Sequence, residues 1–383
     1  MPLDELISRG AQVMTVCNAC RYCEQYCPVF PAMEQRLSFE KADLTYLANL
    51  CHNCGECLYA CQYAPPHEFG ISVPKTLAEI RLRSYEEYAW PRALGAAFTH
   101  HSLLTGLGLA AALSLIMFIA TMILTPDAMR VANGSADFYL VMPHGIMVGL
   151  FGGVFVFVIT ALSVGVVRFR RATSATSVTY VGATTSVGAA FRRPSEGGRR
   201  PTWIAIRDAL TLRHLHATGI DCVSGEEGRS PWRRRFHHCT LYGFLLCFAS
   251  TTVGAIYHSV FGWHAPYAYT SVPVILGTLG GLGLLAGSAG LWILRRQRDP
   301  AMGDPSQRGL DESFIALLFL TSLTGLALLV LRERAAMAPL LIVHLGTVLA
   351  LFVTLPYGKF VHGLYRTAAL IKFTRESSHS PAR

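Results

Sequence analysis

The chain has 383 residues, of which 52% are hydrophobic and 15% charged, and its formal net charge is +9. This composition excludes two or three ordinary soluble domains and favours a membrane protein with a small soluble part. The positive charge does not indicate nucleic-acid binding, because the arginines lie in short runs beside apolar segments, as the positive-inside rule expects.

Two cysteine runs of identical spacing lie near the start of the chain. They are CNACRYCEQYC at residues 17–27 and CHNCGECLYAC at residues 51–61. The spacing is that of bacterial two-cluster ferredoxins, in which the fourth cysteine of each run binds the other cluster. We therefore predict two 4Fe-4S clusters with crossed ligands. The first cluster takes Cys17, Cys20, Cys23 and Cys61, and the second takes Cys51, Cys54, Cys57 and Cys27.

The surroundings of the cysteines favour this interpretation over other uses of clustered thiols. The opening residues contain no apolar signal segment, so we expect the N-terminus in a reducing cytosol, where disulfides are rare. Structural zinc is the alternative, but zinc sites more often use two separated C-x2-C pairs. The helical spacer between the runs completes a predicted ferredoxin-type domain over residues 1–90, which relays electrons and is not itself a catalyst.

Six later stretches are long and apolar enough to cross a bilayer as helices, since about 20 residues span about 30 Å. They cover residues 94–124, 141–167, 241–261, 272–294, 314–331 and 339–356, and we expect the last to continue to about Tyr365. Glycines in the fourth stretch indicate close helix contact. The predicted fold is mostly α: a ferredoxin-like helical domain followed by a six-helix transmembrane bundle, with helices 1 and 2 within 91–167 and helices 3 to 6 within 239–372.

The connection over residues 168–238 holds many arginines and sets the predicted orientation. By the positive-inside rule, this connection and both termini are cytoplasmic, with residues 373–383 as a tail, in a bacterial inner membrane. The connection is expected to be a flexible Ser/Thr/Gly-rich loop with one short helix around WIAIRDALTLRHL. It is interpreted as a solvated basic loop or as a docking surface for a partner or acidic lipid headgroups.

Histidines at the ends of the apolar stretches are candidate haem ligands, because an ionisable residue in a membrane helix is costly and indicates a function. The four candidates are His258 and His344 near the outer ends of the third and sixth stretches, and His238 and His362 near their inner ends. On one continuous helix His344 and His362 share a face and lie about 27 Å apart. We predict two b-type haems, one in each leaflet. His144 and His237 are the alternative ligands.

Several segments combine cluster ligands with unusual juxtamembrane sequences: CNACRYCEQYCPVFPAM, LANLCHNCGECLYACQYAPPHEF, YAWPRA, WRRRFHH and LPYGKFVHGLYR. Over nearly its whole length the chain resembles the tricarballylate-utilisation protein B family, also called the CitB family. The resemblance implies a membrane protein with two 4Fe-4S clusters and b-type haem. It also implies that the protein reoxidises the FAD of a separate soluble dehydrogenase, which converts tricarballylate to cis-aconitate, and delivers electrons to the quinone pool.

The expected function is therefore that of an electron-transfer component rather than a self-contained enzyme. No flavin-binding signature occurs in the sequence, so the substrate chemistry is expected on an FAD-dependent partner chain. The other expected partners are a membrane quinone and the lipid bilayer. Two alternatives stay open: a heterodisulfide-reductase-like membrane subunit that runs electrons toward a cytosolic disulfide, and a non-enzymatic membrane redox sensor.

Overall fold

The protein is represented by a computed structural model, which describes residues 3–125, 138–174, 199–215 and 231–379. Within these ranges the elements are helices, and they form two parts. One is an N-terminal domain that carries both cysteine runs, and the other is a bundle of long apolar helices. The predicted fold class is confirmed.

The N-terminal domain consists of five helices packed around one apolar core. They are α1 (Leu3–Cys20), α2 (Val29–Glu34), α3 (Lys41–Leu50), α4 (Glu56–Tyr59) and α5 (Val73–Tyr88). Glu40 and Asp43 form a reciprocal capping box that fixes the start of α3. Because α1 ends at Cys20 and α3 ends just before Cys51, each cysteine run begins where a helix ends.

The bundle contains six helices that are long and apolar enough to cross a membrane, as predicted. They are α7 (Ser102–Leu124), α9 (His144–Ser174), α11 (Trp232–Phe261), α12 (Val272–Arg296), α13 (Arg308–Leu331) and α14 (Met337–Thr354). Two short helices, α6 (Arg92–His100) and α8 (Phe138–Val141), lead into the first two. Large apolar side chains such as Leu104 and Val330 are exposed on the outside of the bundle, as expected for a surface that faces lipid.

The basic connection is described only in part. The short helix expected around WIAIRDALTLRHL is present as α10 (Arg199–Leu210), followed by a single 3-10 turn. Most of the Ser/Thr/Gly-rich stretch that we expect to be a flexible loop lies outside the described residues.

Helices α11 and α12 form a closely packed pair, as the glycines of the fourth apolar stretch predict. A Cβ atom added at Gly243 would lie 2.7 Å from the backbone nitrogen of Leu284. One added at Gly280 would lie 2.8 Å from the backbone nitrogen of Cys247. The absence of side chains at these glycines therefore lets the two backbones touch.

The last apolar helix ends earlier than expected. Helix α14 stops at Thr354, and a separate helix, α15 (Val361–His379), begins after a short turn. Pro356 lies in this turn and cannot donate a backbone hydrogen bond to continue the helix. The expectation of one helix continuing to Tyr365, with His344 and His362 on one face, is therefore wrong.

Helix α15 leaves the bundle and packs against the N-terminal domain. Tyr365 and Leu370 of α15 are buried in the core of that domain. Near the end of α15, the carboxylate of Glu376 accepts a hydrogen bond from the buried guanidinium of Arg36 at 2.9 Å. Arg36 also donates to Asp43 at 2.6 Å. The C-terminal helix is thus a structural part of the cysteine-bearing domain.

Candidate metal centres

The first cysteine-lined cavity lies beside the end of α1 and has a volume of about 230 Å³. Its thiols are those of Cys17, Cys20, Cys23 and Cys61, joined by Cys57. The remaining described residues of its lining are uncharged and include Tyr22 and Phe30. The four cysteines that we assign to the first cluster therefore face one cavity, although they come from both runs.

A second, smaller cavity is also lined by cysteines of both runs. Its lining contains Cys27 from the first run together with Cys51, Cys54 and Cys57 from the second. These are the four cysteines assigned to the second cluster. Both groupings agree with the crossed assignment, which stays a prediction.

The chemistry of the thiols suits a polynuclear metal cluster. Burial and then the neighbouring Cys61 raise the pKa of Cys17 to about 12. The pKa of Cys27 is also well above its usual value, because the thiol is buried and lies near Cys54 and Cys51. Several thiolates held together out of water repel one another, so bound iron would be needed to stabilise them. Within the described ranges, no three Cys, His, Asp or Glu side chains converge as ligands of a single metal ion.

Residues 51–57, here called the second loop, lie against the bundle and helix α15. The guanidinium of Arg233, in α11, donates to the backbone oxygens of Asn53 at 2.9 Å and His52 at 3.2 Å. Arg298, after α12, also donates to the oxygen of Asn53 at 2.9 Å. Arg366, in α15, donates to the oxygen of Cys51 at 2.8 Å. Three arginines from three elements therefore fix the second loop at what we call the cluster end of the bundle.

Two histidines meet close to this junction. The rings of His237, in α11, and His362, in α15, have their centres 5.9 Å apart. Two imidazoles that would hold one iron between them need ring centres about 6 Å apart, so these two residues fit a bis-histidine haem. The Nδ1 atom of His237 is buried without a hydrogen-bond partner among the described residues. Nδ1 of His362 donates to the backbone oxygen of Lys359, which leaves its Nε2 free for a metal.

The protonation of His362 also suits metal binding. Burial, and then the charges of Arg366 and Lys359, hold the pKa of His362 well below its usual value. A neutral imidazole is the form that binds a metal. His238 is placed differently: its Nε2 lies 3.2 Å from the backbone oxygen of Thr211, and its ring stacks on Tyr242. The structure thus brings His362 together with His237, the sequence alternative, and does not bring it together with His238.

The histidines at the opposite, far end of the bundle form a different arrangement. The ring of His258 stacks on that of His144 with centres 3.8 Å apart, and its Nδ1 lies 3.2 Å from Nδ1 of His264. His344 faces α13, where its Nδ1 lies 3.0 Å from the hydroxyl of Thr324. Among the described residues no ring contact joins His258 and His344. Stacked rings this close leave no space for iron between them, so the outer haem stays a prediction and no step is derived through it.

Sequence reasoning missed the three arginines of the second loop. Arg233 and Arg298 lie in WRRRF and RRQR, which the sequence indicates only as basic flanks of apolar helices. Arg366 lies in LPYGKFVHGLYR, which indicates only the family resemblance. One signal could have identified these arginines. Each of them lies beside a candidate haem ligand or at a helix end that faces the cysteine domain. The pairing across three elements depends on tertiary structure and has no local pattern.

Comparisons with known proteins agree with the two-part architecture. The family described as "Citrate utilization protein B Fer4-like domain" matches residues 10–87, and the one described as "Citrate utilization protein B" matches residues 99–382. The protein named "Citrate utilization protein B" from Escherichia coli is 48% identical over 368 residues, which cover 95% of this chain and 91% of that protein. No solved structure matches the chain significantly. The chain belongs to the citrate utilization protein B family.

Proposed function

We propose that the protein is a membrane electron-transfer component that reoxidises the reduced FAD of a separate soluble dehydrogenase and passes the electrons to the quinone pool. Two 4Fe-4S clusters and b-type haem are the proposed carriers. The observation that carries the proposal is the contact of the second loop with the cluster end of the bundle, directly beside His237 and His362. The resemblance to the family implies tricarballylate as the substrate of the partner.

The order of the sites supports a route from a soluble partner into the membrane part. When bound, each 4Fe-4S cluster and each haem iron takes up and releases one electron at a time. The first cavity opens beside exposed Tyr22, which leaves it accessible to a partner protein. Cys27 belongs to the first run but lines the second cavity, and Cys61 belongs to the second run but lines the first cavity. The two sites therefore lie close together. Arg366 contacts Cys51 and acts on His362, and so links the second site to the histidines.

The orientation follows from the same arrangement. The described arginines at the cluster end include Arg233, Arg295 and Arg298, whereas the far end holds Arg332 and Arg334. This asymmetry favours the cluster end in the cytoplasm of a bacterial inner membrane. A soluble dehydrogenase would then meet the first cavity from the cytoplasmic side.

Metal analysis and spectroscopy of the purified full-length chain test the proposal. We expect iron and sulfide for two 4Fe-4S clusters, low-temperature electron paramagnetic resonance signals after reduction, and the absorption of a reduced b-type haem. A colourless protein, or zinc in place of iron, would overturn the proposal. Clusters without any haem would favour the sensor alternative instead.

Two neighbouring histidines provide a matched pair of variants. His237→Ala should lose the haem absorption while both cluster signals remain, because an iron held by Nε2 of His362 would lose its second protein ligand. His238→Ala should keep the haem, because that ring faces Thr211 and Tyr242. Loss of haem in His238→Ala alone would contradict the assignment to His237.

Reduction by a partner tests the direction of flow. The protein in quinone-containing vesicles should be reduced by an FAD-dependent tricarballylate dehydrogenase and its substrate, and then reoxidised by the quinone. Reduction by a cytosolic dithiol without a flavoprotein would favour the heterodisulfide-reductase-like alternative.

A further inference from the structure

The two cysteine sites differ in the arginines that contact their loops. Neither cavity has a charged residue in its described lining, and at the first loop the exposed Arg21 donates to the backbone oxygen of Asn18 at 3.0 Å. The second loop, by contrast, is contacted by the guanidinium groups of Arg233, Arg298 and Arg366. A further arginine, Arg81, is buried and donates to the backbone oxygen of Ala48 at 2.8 Å, just before Cys51.

The three contacting arginines form no direct ion pairs in the part of the chain that the structure describes, although the charge of Asp311 acts on Arg298. Among the described residues no carboxylate forms an ion pair with Arg233, Arg298 or Arg366, whereas buried Arg36 pairs with both Asp43 and Glu376. Burial and the nearby Arg81 lower the pKa of Arg366 to about 10, which still leaves it charged at neutral pH. Like charges held partly out of water repel one another, so a compensating negative charge would stabilise this group.

A 4Fe-4S cluster with four thiolate ligands supplies that charge, since it is negative overall and becomes more negative by one unit on reduction. We propose that Arg233, Arg298 and Arg366 form a positive cage that makes the second site the easier of the two to reduce. The inference rests on the proposed function, because both sites must hold clusters. Its consequence is that electrons entering at the first site collect at the second, next to the bundle.

The physical argument is one of charge and solvent. A positive charge near a cluster stabilises the reduced state more than the oxidised state, and net charge, hydrogen bonding and exposure set cluster potentials. The three arginines are partly buried, where charges are screened less than in water, so their effect on the cluster is stronger than that of surface charges. The negative charge of Glu56 opposes this effect: it raises the pKa of the Cys54 thiol, whereas the positive charge of Arg233 lowers it.

Potentiometric titration of the full-length protein, followed by electron paramagnetic resonance, tests this proposal. A Cys54→Ser variant first identifies the signal of the second cluster. In Arg366→Gln, we expect the ratio of reduced to oxidised second cluster at a fixed potential to fall about tenfold, equivalent to about 59 mV for a one-electron couple. The first cluster should keep its potential.

Three further variants make the result decisive. Arg298→Gln should shift the second cluster in the same direction, and it serves if Arg366→Gln does not assemble. Arg366→Lys keeps the charge and should restore most of the potential, which separates charge from hydrogen bonding. Arg332→Gln removes a buried arginine that donates to Tyr267 at the far end and should change neither cluster.

The possible failures are distinguishable. If both cluster signals are present and the second keeps its potential in both Arg366→Gln and Arg298→Gln, the positive cage has no tuning role and the inference is overturned. If the wild-type protein shows no cluster signals at all, the proposed function fails, and the inference fails with it.

Discussion

The two cysteine loops share one spacing but have opposite surroundings. In the first loop, residues 17–23, Arg21 and Tyr22 are exposed, with 59% of Tyr22 accessible. In the second loop the equivalent residues are Gly55 and Glu56, and Gly55 is buried against Met302. The comparison teaches that the cysteines determine what a loop can bind, whereas the residues between them determine what the loop touches.

The largest effect is expected when the fourth cysteine of either run is replaced by serine. Cys61→Ser should remove the first cluster and Cys27→Ser the second, each with the loss of about half of the iron, because each thiol faces the cavity of the other run. Iron analysis and electron paramagnetic resonance measure both. If each variant instead lost the cluster of its own run, the crossed assignment would be wrong and the comparison of the two loops would have to be reversed.

A second prediction concerns α15, the helix whose Arg366 contacts the second loop. Glu376→Gln should destabilise the contact of α15 with the N-terminal domain by about 3 kcal/mol, because buried Arg36 loses one of its two carboxylate partners. Thermal unfolding in detergent should show a midpoint lower by several degrees. Glu333→Gln removes an exposed carboxylate 3.8 Å from the guanidinium of Arg332, so it is the matched control and should change little. Equal effects in both variants would contradict the special role of α15.

A third prediction uses the equivalent positions Arg21 and Gly55, which both have positive φ, at 54° and 92°. Gly55→Ala should destabilise the protein by about 2 kcal/mol, because the left-handed backbone is strained for alanine and the new methyl group meets Met302. Arg21→Ala should cost less than about 0.5 kcal/mol, since the side chain is at the surface. Similar losses of stability would show that the two loops are held alike.

The smallest effect is expected in hydrogen exchange of the unmodified protein. Backbone amides of residues 51–55 should exchange at least about tenfold more slowly than those of residues 21–25, because Cys51, His52 and Asn53 are buried under the arginines. Mass spectrometry of peptides from the two loops measures the difference. In Arg366→Gln the protection of the second loop should fall toward that of the first, and unchanged protection would mean that the arginine does not hold the loop.

Much of the fold could be predicted because its signals are local. Cysteine spacing and hydropathy are both visible in short windows of sequence, and the cysteine-bearing domain and six apolar helices are present. The choice between His237 and His238 is not local. Successive residues on a helix point about 100° apart, so the rotation of α11 within the bundle decides which ring faces His362. The end of the last apolar helix depends on the turn at Pro356 and on the attraction of α15 to the N-terminal domain.

The packing of α15 has a consequence for how the protein is made. Tyr365 and Leu370 are synthesised after all six apolar helices, yet they complete the interior of the domain that precedes those helices in the chain. Arg366, which contacts Cys51, arrives equally late. The second loop therefore gains its contact with Arg366 only after all six apolar helices have been synthesised. A fragment cut after the fifth helix lacks part of its own interior, so a workable soluble version would need α15 attached to it.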